Sequence, residues 1–517
     1  MAQGASLPLP LAIGLGATIA VCLALLAATG GQLAVALALP AAAAALVALV
    51  RAPLRLVAHL ILFVALLADN PIERPGQNLY QSPLLPVGAL LYETLNRSLH
   101  LSGLKLSGIQ ALIILMGAVA GLRMLFGVNT DGRVRMRAAA PFLRACLVSV
   151  ATLLALEAMG VATGGSVPHS IFQLQTLICV PVMAMIFAYA FKHPSDLSGL
   201  LTTLLTVAVV RALMCVYYFV TVVQGARKGG GQSGDGSYVT THSDSILAAV
   251  AIVVCIAWVY QEPSPRAFLR AAAVVPLVAL GIVLNNRRIA FVAVGLGLLF
   301  CYLAAQPGFR RRVQRTVLTA LPFLLMYIAV GWGAHGGWAK PVQTLKSVMT
   351  QKDTSSATRD IENFNLMQTW KARPLTGWGF GHEYLEAVKA FDISKIFEAY
   401  RFVPHNSFLW LWGVGGLVGF TFYWMYLSVG LFMAARVILF AQRHEEAMAS
   451  MAAIGAVVAY SVQSFGDMGM MSWMGALIVA ATLGAQASAA TRLGAWVNGG
   501  RRRVGADPGA APSQAPL

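Results

Sequence analysis

The chain has 517 residues, of which 58% are hydrophobic and only 11% are charged, and its formal net charge is +17. This composition excludes an ordinary soluble domain and is typical of a polytopic membrane protein. Long apolar runs recur along the chain, and a helix of about 20 such residues crosses a ~30 Å hydrocarbon core. We therefore expect an all-α, polytopic α-helical membrane protein with about 12–14 transmembrane helices.

The apolar runs give the predicted spans in chain order. These are residues 8–29, 31–50, 54–69, 108–126, 141–160, 171–191, 198–221, 246–261, 272–285, 289–306, 316–333, 415–440, 447–465 and 473–490. The first run has no basic segment before it and is followed at once by a second run. We interpret it as a retained helix rather than a cleaved signal peptide.

The positive charge is explained by topology. With both termini in the cytoplasm, nearly all of the excess Lys and Arg falls on the cytoplasmic segments between spans, as the positive-inside rule requires. We therefore expect membrane lipid around the chain and no nucleic-acid partner. The six cysteines lie in or beside apolar spans and form no CxxC pair, so neither a disulfide framework nor a metal site is expected.

The spans and the segments between them divide the chain into four parts. Residues 1–333 form an N-terminal transmembrane bundle, and residues 334–404 form one large, structured loop on the outer, periplasmic face. Residues 405–492 form the C-terminal transmembrane helices, and residues 493–517 form a disordered cytoplasmic tail. Loops as long as 334–404 are often functional.

A helix is predicted inside the large loop, in "TSSATRDIENFNLMQTWKARPLTGWGFG". Apolar residues recur along it every three positions, namely Ile361, Phe364, Met367 and Trp370, and indicate one apolar stripe. Pro374 ends the helix, and Arg359 falls in its first turn. A guanidinium beside a helix N-terminus offers hydrogen-bond donors to an anion.

Three arginines are candidates for binding phosphate. Arg287 and Arg288 are adjacent at an outer helix start, where they oppose the positive-inside bias. They either extend to lipid headgroups or bind diphosphate oxygens bidentately, and either one could be the principal ligand. Arg211 lies within a span, so it is either a structural ion pair, for example with Glu157, or a second phosphate ligand.

Two histidines and two neighbouring residues are candidates for proton transfer or support. His405 stands at an outer membrane edge, where it is either an interfacial residue or a base that takes a proton from a sugar hydroxyl. Asn406 after it either caps the next helix or orients the base or the sugar. His242 and Asp244 in "THSDS" are supporting candidates, with helix capping as the alternative for Asp244. Weaker candidates are His335, His382 and Asp467.

Four segments, in order, resemble those of the O-antigen ligase and O-antigen polymerase superfamily. They are "GSYVTTHSDSILAAVAI", "NNRRIAFVAVGLG", "RDIENFNLMQTWKARPLTGWGFG" and "PHNSFLWLWGVGGLVGF". They lie within roughly residues 200–440 and have the sidedness that the family shows. The second segment places Arg288 on the family arginine.

The resemblance implies an enzyme, a lipid-linked-oligosaccharide glycosyltransferase. It implies a metal-independent, inverting transfer, without a cofactor, of glycan from undecaprenyl diphosphate to an acceptor hydroxyl at the periplasmic face of the bacterial inner membrane. Arg288 and Arg211, helped by Arg287 and Arg359, would bind the donor diphosphate. His405 would act as the base, with Asn406 beside it.

Three functions stay open. A ligase would use lipid A–core or a similar glycolipid or glycan as acceptor, whereas a polymerase would use another lipid-linked repeat unit. The single dominant outer loop favours the ligase. A lipid-linked-sugar flippase is the alternative from another class, but the sequence shows neither the repeated halves nor the many intramembrane charges common in transporters.

The last motif also predicts a break in a helix. A base that acts on a lipid-linked donor must lie at headgroup depth, where the large loop returns to the membrane. We expect a short helix from His405 to about Trp412. The glycines of "GVGG" would then break it before the next full span.

Overall fold

The computed structural model describes most of the chain. The described residues are 19–24, 26–27, 51–71, 83–96, 106–125, 138–224, 239–285, 287–334, 336–339, 341–343, 346, 354–389, 392 and 397–496. Most of the predicted span 8–29, the whole of 31–50 and most of the predicted tail lie outside them, as does His335.

The described residues form helices and no β-strand. We number the helices α1 (Leu54–Leu67), α2 (Leu85–Tyr92), α3 (Gly108–Leu125), α4 (Ala140–Ala162), α5 (Val167–Ala190), α6 (Pro194–Tyr218), α7 (Asp244–Gln261), α8 (Pro265–Leu284), α9 (Arg288–Ala304), α10 (Pro307–Gly331), α11 (Thr354–Ala372), α12 (Ser407–Phe440), α13 (His444–Gly466) and α14 (Trp473–Arg492). The predicted all-α fold is confirmed.

Ten helices in the described part of the chain are long and apolar enough to cross a membrane, and α1 and α9 are shorter apolar helices. Together these twelve coincide with the twelve predicted spans from 54–69 onward. The chain is therefore a multi-pass membrane protein, as its composition predicts.

Helices α13 and α14 form the centre of the bundle. Almost every residue of α14 is buried, and it packs mainly against α5, while α13 packs against α7, α9 and α12. Small residues along α14, as in "GALIVAATLGAQASAA", allow neighbouring helices to approach closely. At the other extreme, the apolar part of α10 has no buried residue in its membrane window. Apolar side chains on all sides of a helix fit a lipid environment.

Helix α12 contains the predicted break. The side chain of Asn406 caps its start by accepting the backbone N–H of Leu409 at 3.2 Å. The helix then departs from helical geometry at Gly416, with φ 57° and ψ −165°. This backbone conformation is almost restricted to glycine. The short first segment, residues 407–415, leads into the long span, so the expectation from "GVGG" is confirmed.

The large loop is joined to this break by backbone hydrogen bonds. In an unbroken helix, the N–H groups of Leu417 and Val418 would donate to the carbonyls of Gly413 and Val414. Here they donate to loop carbonyls, of Pro374 at 2.8 Å and Leu375 at 3.1 Å. The two helix carbonyls instead accept loop N–H groups, of Trp378 at 3.1 Å and Gly379 at 2.9 Å. Backbone groups left unpaired near lipid are costly, so this exchange stabilises the break.

Helix α11 of the large loop is confirmed, but its predicted apolar stripe is wrong. Phe364 and Met367 are each 40% exposed, whereas the polar residues Glu362, Asn365 and Thr369 are buried. Beside the buried Leu366, the inward face carries these polar side chains because they bind loop backbone and the ring of His405. Asn365, for example, accepts the backbone N–H of Val388 at 2.9 Å and donates to its carbonyl at 2.7 Å.

Candidate functional site

His405 and Asn406 lie where the large loop meets α12, and both contact α11. Nδ1 of His405 lies 3.1 Å from Oε2 of Glu362, and the backbone N–H of His405 donates to the same oxygen at 3.2 Å. The amide of Asn406 donates to Oδ1 of Asn363 at 3.0 Å. Asn406 therefore caps α12 and also ties that helix to the large loop.

The charge of Glu362 changes the titration of His405. Burial opposes protonation of the imidazole, but the hydrogen bond and negative charge of Glu362 outweigh it. The result is a pKa of His405 above its ordinary value. Nδ1 is engaged with Glu362, so Nε2 is the ring nitrogen left for chemistry.

Asp467, at the end of α13, lies at the centre of a second charged group. Nδ1 of His242 contacts its carboxylate, and a guanidinium nitrogen of Arg287 lies 3.9 Å from it. The positive charge of Arg359 acts on both Asp467 and His405. Burial would raise the pKa of Asp467, but the charges of His242, Arg287 and Arg359 hold it well below its usual range.

Three of these side chains, those of His405, His242 and Asp467, line one cavity of about 290 Å³. Its lining includes His405, His242, Asp467, Asn70, Gln175 and Trp473. The rest of the lining is mostly apolar, so a few polar groups, two imidazoles and a carboxylate among them, are placed to orient a ligand in it. The cavity lies at the end of the bundle that carries the large loop.

Arg211 lies behind this cavity in an ion-pair network. Its guanidinium donates to both oxygens of Asp244, at 2.9 and 3.0 Å, and to Asp69 at 2.7 Å. Arg211 and Asp69 are buried, and Tyr218 donates to the second oxygen of Asp69 at 3.4 Å. Of the two alternatives for Arg211, this geometry supports the structural ion pair. Its partners are Asp69 and Asp244 rather than Glu157.

The other predicted residues have distinct surroundings. Arg287 occupies the position before α9 and is buried, while Arg288 is the first residue of that helix and is half-buried. Asp244 begins α7 but its carboxylate binds Arg211, not the helix N-terminus. Glu157 accepts the hydroxyl of Ser170 at 2.6 Å. The structure therefore brings His405, His242 and Arg287 near Asp467, and Arg287 also lines a second, small cavity together with Arg211.

Two residues of this site were not candidates from the sequence, and one was a weak candidate. Glu362 is separated by 43 residues from His405, and Asp69 by 142 residues from Arg211, so no local pattern joins them. Asp467 was only a weak candidate. The available signal was the position of Glu362, three residues after Arg359 on a loop helix. Among the described residues, no three His, Cys, Asp or Glu side chains lie close enough together to hold a metal ion.

Comparison with known proteins agrees with the motifs. Residues 273–424 match the family model described as O-antigen ligase. The matched segment includes Arg287, Arg288, Arg359, Glu362 and His405, whereas Asp467 lies beyond it. No curated protein matches the chain. The family implies glycosyl transfer of the ligase or polymerase type. This match supports the resemblance to the O-antigen ligase superfamily that the motifs predict.

Proposed function

We propose that the protein transfers a glycan from an undecaprenyl-diphosphate-linked donor to an acceptor hydroxyl, as an O-antigen ligase does. One observation carries this proposal. The half-buried imidazole of His405 binds a carboxylate and lines a cavity where the large loop joins the membrane helices, and Asp467 in the same lining lies 3.9 Å from a guanidinium nitrogen of Arg287. A lipid-linked donor needs such a location because its reacting bond lies at headgroup depth.

The reaction follows from the two halves of the site. Nε2 of His405 accepts the proton of the acceptor hydroxyl while that oxygen attacks the anomeric carbon. The bond between the anomeric carbon and the diphosphate oxygen breaks, and the polyprenyl diphosphate leaves with the electron pair. Attack from the face opposite the leaving group inverts the anomeric configuration.

Negative charge on the leaving diphosphate is the second requirement. Arg287 and Arg359 supply guanidinium groups beside Asp467, and guanidinium binds phosphate oxygens bidentately. Nε of Arg359 is buried and has no hydrogen-bond partner within the described ranges. Arg288, which aligns with the arginine of the resembled family motif, is the neighbouring candidate. We assign Arg211 to the scaffold, because two carboxylates already neutralise it.

Charge on α10 supports the orientation that we propose. Its four arginines, Arg310, Arg311, Arg312 and Arg315, lie at the end of the helix away from the large loop. The positive-inside rule places that end in the cytoplasm and the cavity in the periplasm of a bacterial inner membrane. Both termini are then cytoplasmic, and the acceptor is a glycolipid such as lipid A–core.

A strain that lacks the protein tests this function. Its surface glycolipid is separated on a gel, and the same extract is probed for polyprenyl-linked glycan. We expect bare lipid A–core, with long polymer still on the polyprenyl carrier. Wild-type protein and His382→Gln should restore the normal pattern, whereas His405→Ala should not. His382 is the matched histidine control because it binds Thr163 at the same end of the bundle, outside the cavity lining.

Other outcomes identify the other functions. Lipid A–core capped by a single repeat unit would mean a polymerase. Movement of labelled lipid-linked sugar across the membrane without new glycosidic bonds would mean a transporter and would refute the transfer proposal. An unchanged gel pattern would exclude lipopolysaccharide as the acceptor.

A further inference from the structure

We infer that Glu362 is the positioning residue of the base: its carboxylate binds Nδ1 of His405 and so directs Nε2 toward the acceptor hydroxyl. This assignment rests on the proposed function, because it gives His405 the role of base. It adds a residue that lies 43 positions away in the sequence, on a different element of the fold.

The carboxylate holds both the ring and the backbone of the same histidine. Oε2 of Glu362 lies 3.1 Å from Nδ1 and accepts the backbone N–H of His405 at 3.2 Å. The side chain of Glu362 is only 8% exposed, whereas that of His405 is 26% exposed. Because this one oxygen contacts both Nδ1 and the backbone N–H of His405, it fixes the imidazole relative to the backbone of the same residue. The more exposed ring then faces the cavity.

The helix that carries Glu362 is itself fixed. The neighbouring Asn363 binds Asn406, so two consecutive residues of α11 contact two consecutive residues at the start of α12. One turn after Glu362, the side chain of Asn365 hydrogen-bonds both the N–H and the carbonyl of Val388. Positioning of a catalytic group depends on a rigid second layer of this kind.

The chemistry of the pair follows from its hydrogen bond. A carboxylate that accepts Nδ1–H leaves the lone pair of the neutral imidazole on Nε2. When Nε2 takes the acceptor proton, the ring becomes an imidazolium cation, and the carboxylate stabilises that charge while remaining ionised. A wrongly oriented ring, or the other tautomer, would present no lone pair to the acceptor.

Other charged groups also act on His405. Arg359, on the same helix as Glu362, opposes protonation of the ring, and Asp467 at the end of α13 favours it. Asp467 is already shared between His242 before α7 and Arg287 before α9. Glu362 is therefore the acid that binds the ring of His405 directly, whereas Asp467 is shared with His242 and Arg287.

The test uses purified full-length protein in lipid nanodiscs, with lipid-linked glycan and bare glycolipid extracted from the deletion strain. Transfer rates are measured against pH for wild type and Glu362→Gln. The control is Asp360→Asn, which removes an exposed acid from the same helix. We expect Glu362→Gln to lower the maximal rate by about 10- to 100-fold. The low-pH side of its rate–pH profile, the acid limb, should also move to lower pH. The reason is that the imidazole of His405 loses a neighbouring negative charge, which lowers its pKa. Asp360→Asn should change neither.

Two results would overturn the assignment: a Glu362→Gln profile equal to wild type, or an equal loss of rate at every pH with the acid limb unmoved. The second would mean a merely structural role. Should Glu362→Gln not fold, Glu362→Asp replaces it, and we expect a lower rate with less movement of the limb because the charge stays. Absence of transfer by wild-type protein from these substrates would instead refute the proposed function.

Discussion

A guanidinium nitrogen of Arg287 lies 3.9 Å from the carboxylate of Asp467, which lines the same cavity as His405. Because Asp467 lines the cavity, this contact brings Arg287 to its edge, and on that ground we propose Arg287 rather than its neighbour Arg288 as the ligand of the donor diphosphate. The family motif favours Arg288. The two arginines are adjacent at the start of α9. Substituting each of them separately distinguishes the two assignments.

Replacing either arginine with lysine keeps the charge but removes the bidentate fork. We expect Arg287→Lys to lower transfer at least about ten-fold, equivalent to the ~1.4 kcal/mol of one such contact, and Arg288→Lys to lower it less. Arg373→Lys serves as the control, because the guanidinium of Arg373 lies over the ring of Trp378. Expression and monodispersity are checked by size-exclusion chromatography. A larger loss for Arg288→Lys would assign the diphosphate to that residue.

Transfer should depend on pH through His405. The base must be neutral, and its pKa is raised above the ordinary 6.5. Activity is therefore expected to rise with pH through a value above 6.5 and to fall as the ring is protonated. Stability has the opposite dependence: the Glu362–His405 pair stabilises the fold fully below the unfolded pKa and loses that contribution as pH rises through the folded one. An acid limb at or below 6.5 would contradict this prediction.

The break in α12 should not tolerate a side chain at Gly416. Its backbone conformation costs other residues about 1–3 kcal/mol, and an added Cβ would lie 2.3 Å from the backbone carbon of Leu375. We expect Gly416→Ala to lower the melting temperature in detergent and to abolish transfer. Gly295→Ala in α9, where a Cβ would meet nothing within 4 Å, is the control. Equal melting temperatures for the two variants would show that the break is not required.

Removing Arg211 should destabilise the bundle rather than weaken donor binding alone. Arg211→Ala leaves Asp69 and Asp244 without their shared cation, and breaking a buried ion pair costs about 3–5 kcal/mol. We expect low yield and a large drop in melting temperature. Arg266→Ala, an exposed arginine of α8, should change neither. A stable Arg211→Ala protein that has lost only activity would return Arg211 to the diphosphate site.

Hydropathy and turn chemistry were sufficient to predict much of the fold. Each of the twelve predicted spans from residue 54 onward corresponds to a helix, because length and apolarity suffice to recognise a membrane helix. The break at Gly416 also followed from local sequence, since a glycine cluster after a polar helix start permits a conformation closed to other residues.

The orientation of α11 and the partners of Arg211 could not be predicted in this way. The spacing of apolar residues identifies one face of a helix, but it does not identify the groups that pack against the helix. Here those groups are the backbone of Val388 and the ring of His405. These groups bind the polar face of α11, so Phe364 is left exposed. The ion pairs of Arg211 join residues from three separate helices and loops, a pairing that only the folded bundle creates.

The exchange of hydrogen bonds between the loop and α12 limits how substrates can enter. Four backbone contacts, made by residues 374–379, connect the large loop to the interior of a membrane helix. This end of the loop cannot lift as a hinged lid without unpairing backbone groups at the depth of the membrane surface. A movement of the large loop that keeps these four hydrogen bonds must therefore carry residues 374–379 together with the break in α12.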